Sequence, residues 1–144
     1  MSGEVTALGT GLADGDGPAA ERAKPAGEAL NRYEAHIPKG LKEGVEICQE
    51  VGSPGVRLMA DFFHMSIEEA DIAGSLAEAG DYVRHIHLAD SNRVLPGNGH
   101  TDFATPFATL KRLGYAGYLA MECSVPPPAE ESLRKSAVYL RNLI

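Results

Sequence analysis

Several features that define large classes of protein are missing from this chain of 144 residues. Its two cysteines, Cys48 and Cys123, are far apart and outside any CxxC motif, which indicates neither a disulfide framework nor a zinc ribbon. No apolar run approaches the roughly 20 residues that a bilayer-spanning helix needs, and no secretory leader is recognisable. We therefore expect a protein of the reducing cytoplasm with no membrane partner.

Positive charge is also scarce. Lys and Arg number 13 against 20 Asp and Glu, giving a formal net charge of −7. This balance provides no basic surface for a phosphate backbone, so we expect no nucleic-acid partner. With 44% hydrophobic and 23% charged residues, the chain has the composition of one globular domain.

The first 27 residues differ in texture from the rest. They are crowded with Gly, Ala, Pro and Asp and lack a sustained apolar period, which predicts an irregular or disordered segment over residues 1–27. Because Pro25 would remove a donor from a central strand, the residues just before Glu28 do not predict a strand. The remaining residues, 28–144, are expected to form the folded domain.

From about Ala35 onwards, helical and strand-like patterns alternate. Apolar residues from Ile37 to Val51 recur at helical intervals up to a stop at Gly52. Further helices are predicted from a capping box of Ser66 and Glu69, from a Thr105 N-cap before Pro106, and from a helical period near the C-terminus. The predicted helices after Gly52 cover about 66–79, 105–113 and 133–144, and the predicted strands cover 56–61, 83–89 and 118–123.

This alternation is typical of βαβ units around a parallel sheet. Two architectures have this pattern, a doubly wound sheet and part of a (β/α)8 barrel. The nucleotide-binding versions of the first lose support because no Gly-x-Gly-x-x-Gly or Walker motif follows a strand. A complete barrel takes about 250 residues, so this chain would supply about half of one.

Polar residues close the predicted strands. Ligands of parallel α/β proteins bind at the carboxyl ends of strands, where Asp61, His87 and Glu122 lie, and Glu28 lies one βα step upstream. Three carboxylates and one imidazole suit Mg²⁺, Mn²⁺ or Co²⁺. A single acid that closes a strand is more often a helix N-cap or a solvated loop residue than a metal ligand. His85 shares a face with His87 and could simply be buried.

Four stretches of the sequence resemble a known family, the sugar isomerase and epimerase family with xylose-isomerase-like barrels. The likeness is closest to its ketose 3-epimerase and hydroxypyruvate isomerase branches, and it covers the C-terminal half of the family's barrel. The stretches are Glu28-Ala-Leu-Asn-Arg-Tyr-Glu34, Asp61-Phe-Phe-His64-Met65, His85-Ile-His87-Leu-Ala-Asp90-Ser-Asn-Arg93 and Gly97-Asn-Gly-His100-Thr-Asp102-Phe103.

The resemblance implies a metal-dependent isomerase or epimerase built on half of a (β/α)8 TIM barrel. Its implied substrate is a small sugar or hydroxy-ketone, and its mechanism is proton abstraction through an enediolate. Glu28 and Glu122 would be the acid/base pair, and Glu34, His64 and Arg93 would contact substrate oxygens. The implied ligands of one Mn²⁺ or Mg²⁺ ion, with Co²⁺ as an alternative, are Glu28, Asp61, His87 and Glu122.

Other interpretations remain open on the sequence alone. Arg93 could be a loop cation paired with Asp90, and His64 could cap the helix predicted near Ser66. Ala29 stands where the family commonly has proline. An open half barrel exposes sheet edges, which favours self-association or pairing with a complementary N-terminal half. The chain could also be an inactive assembly fragment, and a metal-dependent nuclease is disfavoured by the charge of −7.

Overall fold

A computed structural model describes residues 25–143, and residues 1–24 and 144 lie outside the described part. Strands and helices alternate along the chain, as the sequence predicts. The strands are β1 (Pro25–Glu28), β2 (Arg57–Asp61), β3 (Val83–Leu88) and β4 (Tyr118–Met121). The helices are α1 (Leu41–Val51), α2 (Phe62–Glu68), α3 (Ile72–Ala79), α4 (Ala104–Arg112) and α5 (Ala129–Arg141), with a 3₁₀ turn over Gly80–Tyr82.

The four strands form one parallel sheet in the sequential order β1-β2-β3-β4. Each strand lies beside the one that precedes it in the chain, with at least one helix in every connection. A doubly wound sheet would reverse its strand order at a switch point, and this sheet does not. The architecture is therefore a partial (β/α)8 barrel, which confirms the predicted fold class.

The two faces of the sheet have different chemistry because side chains alternate along each strand. Apolar side chains of β2 and β3 on one face join a buried cluster that the helices complete. The opposite face carries Met59 and Asp61 of β2 beside His85 and His87 of β3, which are their register partners. The core on the helix side includes Leu41, Leu58, Ala60, Phe62, Leu76, Ile86, Leu88, Phe103, Phe107, Leu110 and Leu140.

Strand β1 corrects one expectation. Residues 25–27, assigned to the irregular segment, continue into Glu28 as a strand that pairs with β2, with a register irregularity between Pro25 and Gly27. In the described part of the chain β1 pairs on one side only, and an edge strand tolerates a proline. The prediction of an irregular segment for residues 1–24 falls outside the described residues.

The predicted helix over 66–79 is also wrong, because this stretch forms two helices. Asp61 caps α2 by accepting from the backbone N–H groups of Phe63 and His64, and Asp71 caps α3 by accepting from Gly74. Ser66 is not a cap, since its hydroxyl donates to the carbonyl of Phe63. The backbone is extended at Glu69, which ends α2. Apolar residues continue at helical intervals beyond this break, so the sequence pattern predicted one helix.

Three further helix boundaries differ from prediction. Helix α1 begins at Leu41 and leaves Ile37 73% exposed, because Pro38 disfavours helical backbone at the residue before it. Helix α4 begins at Ala104, and Asp102 instead of Thr105 accepts from its first N–H groups. Helix α5 begins four residues before the predicted start. None of the helices between residues 25 and 143 has the length and apolar character needed to cross a bilayer.

Candidate metal centre and substrate site

The four predicted metal ligands converge at the carboxyl end of the sheet. Glu28 ends β1, Asp61 ends β2, His87 lies one residue before the end of β3, and Glu122 directly follows β4. One candidate ligand atom from each side chain lies within 4.8 Å of the corresponding atoms of the other three. Parallel strand order thus brings together side chains that are up to 94 residues apart in sequence, from Glu28 to Glu122.

Three of these four side chains each have a buried polar atom without a hydrogen-bond partner: Glu28 Oε1, Asp61 Oδ2 and His87 Nδ1. His87 Nδ1 is 3.7 Å from Asp61 Oδ2 and 3.4 Å from Glu122 Oε2, so the acids surround the imidazole without a well-formed hydrogen bond. Unsatisfied buried oxygen and nitrogen atoms are costly unless a ligand completes them. The donor set fits one divalent cation that prefers oxygen ligands.

The electrostatics agree with this fit. Burial raises the pKa of Glu28, and the negative charges of Asp61 and Glu122 raise it further. Asp61 is the main cause that raises the pKa of His87, and Glu122 and Glu28 add to the effect against the opposing influence of burial. The shift of His87, and the part of the Glu28 shift that burial does not cause, reflect the negative charge of the neighbouring carboxylates. A cation at the centre of the cluster would favour the ionised carboxylates and the neutral imidazole that coordination requires.

The three predicted substrate-binding residues lie beside the metal-ligand cluster. Arg93 Nη2 donates to Glu122 Oε2 at 3.0 Å, and Arg93 Nη1 lies 3.6 Å from Glu34 Oε1. His64 is buried, and its Nε2 is 3.7 Å from Glu28 Oε1. Burial lowers the pKa of His64, with Arg93 adding to the effect and the acids nearby opposing it. Polar groups of both signs thus border the cluster.

Neither alternative interpretation of Arg93 and His64 is seen. The Arg93 guanidinium points to Glu122 and lies over the ring of Phe63, with 4.7 Å from Cζ to the ring centroid. Its link to Asp90 is between backbone atoms, from Arg93 N–H to Asp90 carbonyl. His64 lies inside α2 and does not cap a helix.

Two buried polar residues at the site, Asn31 and Asp90, were not among the predicted site residues. Asn31 contacts both His64 and Glu34, and Asp90 accepts from backbone N–H groups of the loop that carries Arg93. Asp90 had a usable signal, since it follows β3 as the other candidate acids follow their strands. Asn31 had none, because its partner His64 is 33 residues away.

Two residues near the cluster have other surroundings. His85 packs against His87 with ring centroids 4.9 Å apart, and burial followed by the charge of His87 lowers its pKa. Burial raises the pKa of Cys123 to about 11, which keeps its thiol protonated at neutral pH. Neither residue belongs to the group of four converging ligands.

Comparison with known proteins gives a consistent result. A family model described as a xylose isomerase-like TIM barrel matches residues 15–143. The D-psicose 3-epimerase of Enterocloster bolteae is 40% identical over 95 residues, which cover 66% of this chain and 32% of that protein. The L-ribulose 3-epimerase of Mesorhizobium japonicum is 35% identical over 129 residues, covering 86% of this chain and 43% of that protein.

A solved structure shows the same arrangement of strands and helices. The apo crystal structure of the E. coli 3-keto-D-glucoside 4-epimerase superposes with a TM-score of 0.77 at 34% sequence identity, over 80% of this chain and 44% of that one. The chain thus spans less than half the length of each of these three proteins.

Proposed function

Since this chain belongs to the xylose isomerase-like TIM barrel family, we propose that it supplies the metal centre of a sugar epimerase or isomerase. The reaction would move a proton at the carbon next to a ketose carbonyl, through an enediolate of the sugar. Relatives named as ketose 3-epimerases support this reaction class. The observation that carries the proposal is the convergence of four ligand atoms with three buried polar atoms left unpartnered.

The proposed metal site uses the four residues at the strand ends. Mn²⁺ or Mg²⁺ is the expected ion, with Co²⁺ as an alternative, because three of the four ligands are carboxylates. When bound, such an ion would polarise the carbonyl and neighbouring hydroxyl oxygens and so acidify the C–H bond of the carbon that bears the hydroxyl. The residues that would hold it are Glu28, Asp61, His87 and Glu122.

The two glutamates among these ligands are the proposed acid/base pair. Glu28 and Glu122 approach the cluster from the two ends of the four-stranded sheet, so they can address a sugar between them from different sides. One carboxylate would take the proton, and the other would return one. Return to the same carbon from the opposite side gives an epimer, whereas return to the neighbouring carbon gives an aldose–ketose isomer.

Beside this pair, the substrate would be oriented by Glu34, His64 and Arg93. Arg93 offers donors to a carbonyl or hydroxyl oxygen, while Glu34 can accept from a hydroxyl. Arg93 contacts Glu122 and Glu34, and His64 lies near Glu28, so the three side chains border the ligand cluster together. Positioning of this kind can contribute as much to the rate as the acid/base groups.

The proposed active assembly contains a second half barrel, either another copy of this chain or a complementary N-terminal half. Both β1 and β4 pair on one side only in the described sheet. Completing the barrel would cover these edges and close the site from the remaining directions.

The decisive experiment follows exchange of a ketose proton with solvent deuterium by NMR, using the purified chain, Mn²⁺ and D-psicose. We expect metal-dependent exchange that Glu122→Gln reduces by at least about a hundredfold. Glu130→Gln is the matched control, since its exposed carboxylate pairs with Arg134 on α5, away from the cluster. A folded, Mn²⁺-loaded wild-type chain that self-associates and still shows no exchange would contradict the proposal.

A further inference from the structure

The buried side chain of Asn31 connects two of the proposed substrate-binding residues. Its Oδ1 accepts from the backbone N–H of Tyr33 at 2.9 Å. Because a backbone N–H can only donate, this contact fixes which end of the amide is oxygen. The Nδ2 group therefore faces the other way, 2.8 Å from His64 Nδ1 and 3.1 Å from Glu34 Oε1.

His64 Nδ1 receives a second donor from the same residue. The backbone N–H of Asn31 points at it from 3.2 Å. A nitrogen that accepts from two N–H groups carries no proton of its own, which excludes both the imidazolium and the Nδ1–H tautomer. The ring proton must then lie on Nε2, the nitrogen nearer to Glu28 and Arg93.

In the described part of the chain, no acceptor lies within hydrogen-bond distance of Nε2. Arg93 Nη1, itself only a donor, is 3.3 Å away, so two N–H groups face each other. The nearest carboxylate oxygen, Glu28 Oε1, is 3.7 Å from Nε2, beyond good hydrogen-bond distance. Two buried or half-buried donors that converge without an acceptor define a position for an oxygen atom from a ligand.

We propose that Asn31 is a positioning residue that holds His64 as the Nε2–H tautomer, so that His64 and Arg93 donate together to one oxygen of the sugar. The inference rests on the proposed function for the identity of that ligand. The second amide proton of Asn31 is donated to Glu34 Oε1. The same side chain therefore orients both the proposed donor, His64, and the proposed acceptor, Glu34.

The tautomer can be measured without any assay of activity. Long-range proton–nitrogen NMR spectra of the ¹⁵N-histidine-labelled, Mg²⁺-loaded chain distinguish a protonated from an unprotonated ring nitrogen, and His64→Gln identifies the His64 signals. We expect an unprotonated Nδ1 in the wild type. In Asn31→Asp a carboxylate oxygen replaces the donor at 2.8 Å, and a charge-assisted hydrogen bond from Nδ1–H to this oxygen is stronger than the neutral one from the backbone N–H at 3.2 Å, so Nδ1 should gain a proton. In Asn31→Ala the backbone donor remains, so Nδ1 should stay unprotonated.

Gln49→Glu is the control for an amide-to-acid change, because Gln49 is exposed on α1. It should leave the His64 signals unchanged. A protonated Nδ1 in the wild type, or an unprotonated one in Asn31→Asp, would overturn the inference. This result is independent of the deuterium exchange that tests the proposed function. Where exchange is present, Asn31→Asp should lower kcat/KM on the order of tenfold to a hundredfold with Mg²⁺ affinity retained.

Discussion

Asp61 performs two tasks with its two carboxylate oxygens. Oδ1 accepts from the N–H groups of Phe63 at 2.7 Å and His64 at 3.4 Å, while Oδ2 is buried and unpartnered among the other candidate ligands. The end of β2 and the start of α2 therefore orient this carboxylate before any cation binds. Glu122 is held differently, by Arg93, and its side chain is 50% exposed.

These two tasks can be separated by Asp61→Asn. The amide oxygen can keep the cap, and the NH₂ group then replaces the ligand oxygen. We expect Mn²⁺ affinity measured by calorimetry to fall by more than about a hundredfold. Substitution of residues that only contact a metal ligand already lowers metal affinity by up to about that factor. Metal-free stability in urea should change by less than about 1 kcal/mol, since the cap remains and repulsion with Glu28 decreases.

The matched control is Asp71→Asn, which makes the same change at the N-cap of α3, outside the cluster. It should bind Mn²⁺ as the wild type does. Equal affinities in the two variants would show that Asp61 is not a ligand.

At this scale the sequence predicted the residues whose signal is local. Acids and a histidine at predicted strand ends can be recognised in the sequence, and the order of the parallel strands then brings them together. Asn31 could not be recognised in this way, since its proposed role depends on a contact with His64, which is 33 residues away in the sequence. No periodicity or spacing encodes the direction of an amide group.

The break between α2 and α3 shows where element prediction failed. Ser66 and Glu69 have the spacing of a capping box, but the Glu69 carboxylate accepts instead from Leu41 N–H and the Ser75 hydroxyl. These partners lie at the start of α1 and inside α3. A long-range contact thus outweighed a local one, and strand ends and glycine stops were the more dependable signals. Gly52 and Gly80, both at positive φ, end α1 and α3 as predicted.

Alanine variants distinguish one long helix from two. Asp71→Ala should lower the free energy of unfolding by about 1 kcal/mol, because α3 loses the cap at Gly74 N–H. Ser66→Ala should cost less than about 0.5 kcal/mol, since its hydroxyl serves a carbonyl already inside the helix. Urea unfolding measures both. A larger loss for Ser66→Ala would favour the continuous helix.

The loop from Asp90 to Asp102 is organised around the Asp90 carboxylate. Oδ2 accepts from Gly97 and Asn98, and Oδ1 accepts from Ser91 and Thr101. The loop would otherwise leave these N–H groups without partners and Arg93 without a fixed position. Burial opposes ionisation of Asp90, but donation by the backbone outweighs it and lowers the pKa.

Asp90→Asn should therefore destabilise the fold by about 2–3 kcal/mol at neutral pH, because one amide oxygen cannot replace two carboxylate oxygens. The lowered pKa gives the wild type a stabilisation that is present above the unfolded value near 4 and lost as pH falls through the folded value. Urea unfolding from neutral to acidic pH should show a smaller loss of stability in the variant.

Asp81→Asn is the control for this pH series, since its carboxylate is 97% exposed. It should follow the wild-type pH profile. Parallel profiles for wild type and Asp90→Asn would contradict the role given to this carboxylate.

On the scale of the molecule, the four parallel strands of residues 25–143 form an open sheet instead of a closed barrel. In residues 25–143 the outer sides of β1 and β4 have no neighbouring strand. Unpaired backbone groups along a strand promote pairing with another chain, and edge strands commonly carry lysine to prevent it. The first residue of β4 is instead Tyr118, which is 74% exposed.

We predict that the isolated chain self-associates through these edges and that Tyr118→Lys weakens the association. Sedimentation velocity over a range of concentrations should show dimers or larger species for the wild type and mainly monomer for the variant. Val138→Lys is the matched control, because Val138 is also an exposed apolar residue, at 52%, but lies on α5. Since Tyr118 is outside the group of candidate ligands, Mn²⁺ affinity should survive the substitution. A wild-type chain that stays monomeric at all concentrations would rule out self-pairing and leave a complementary half as the proposed partner.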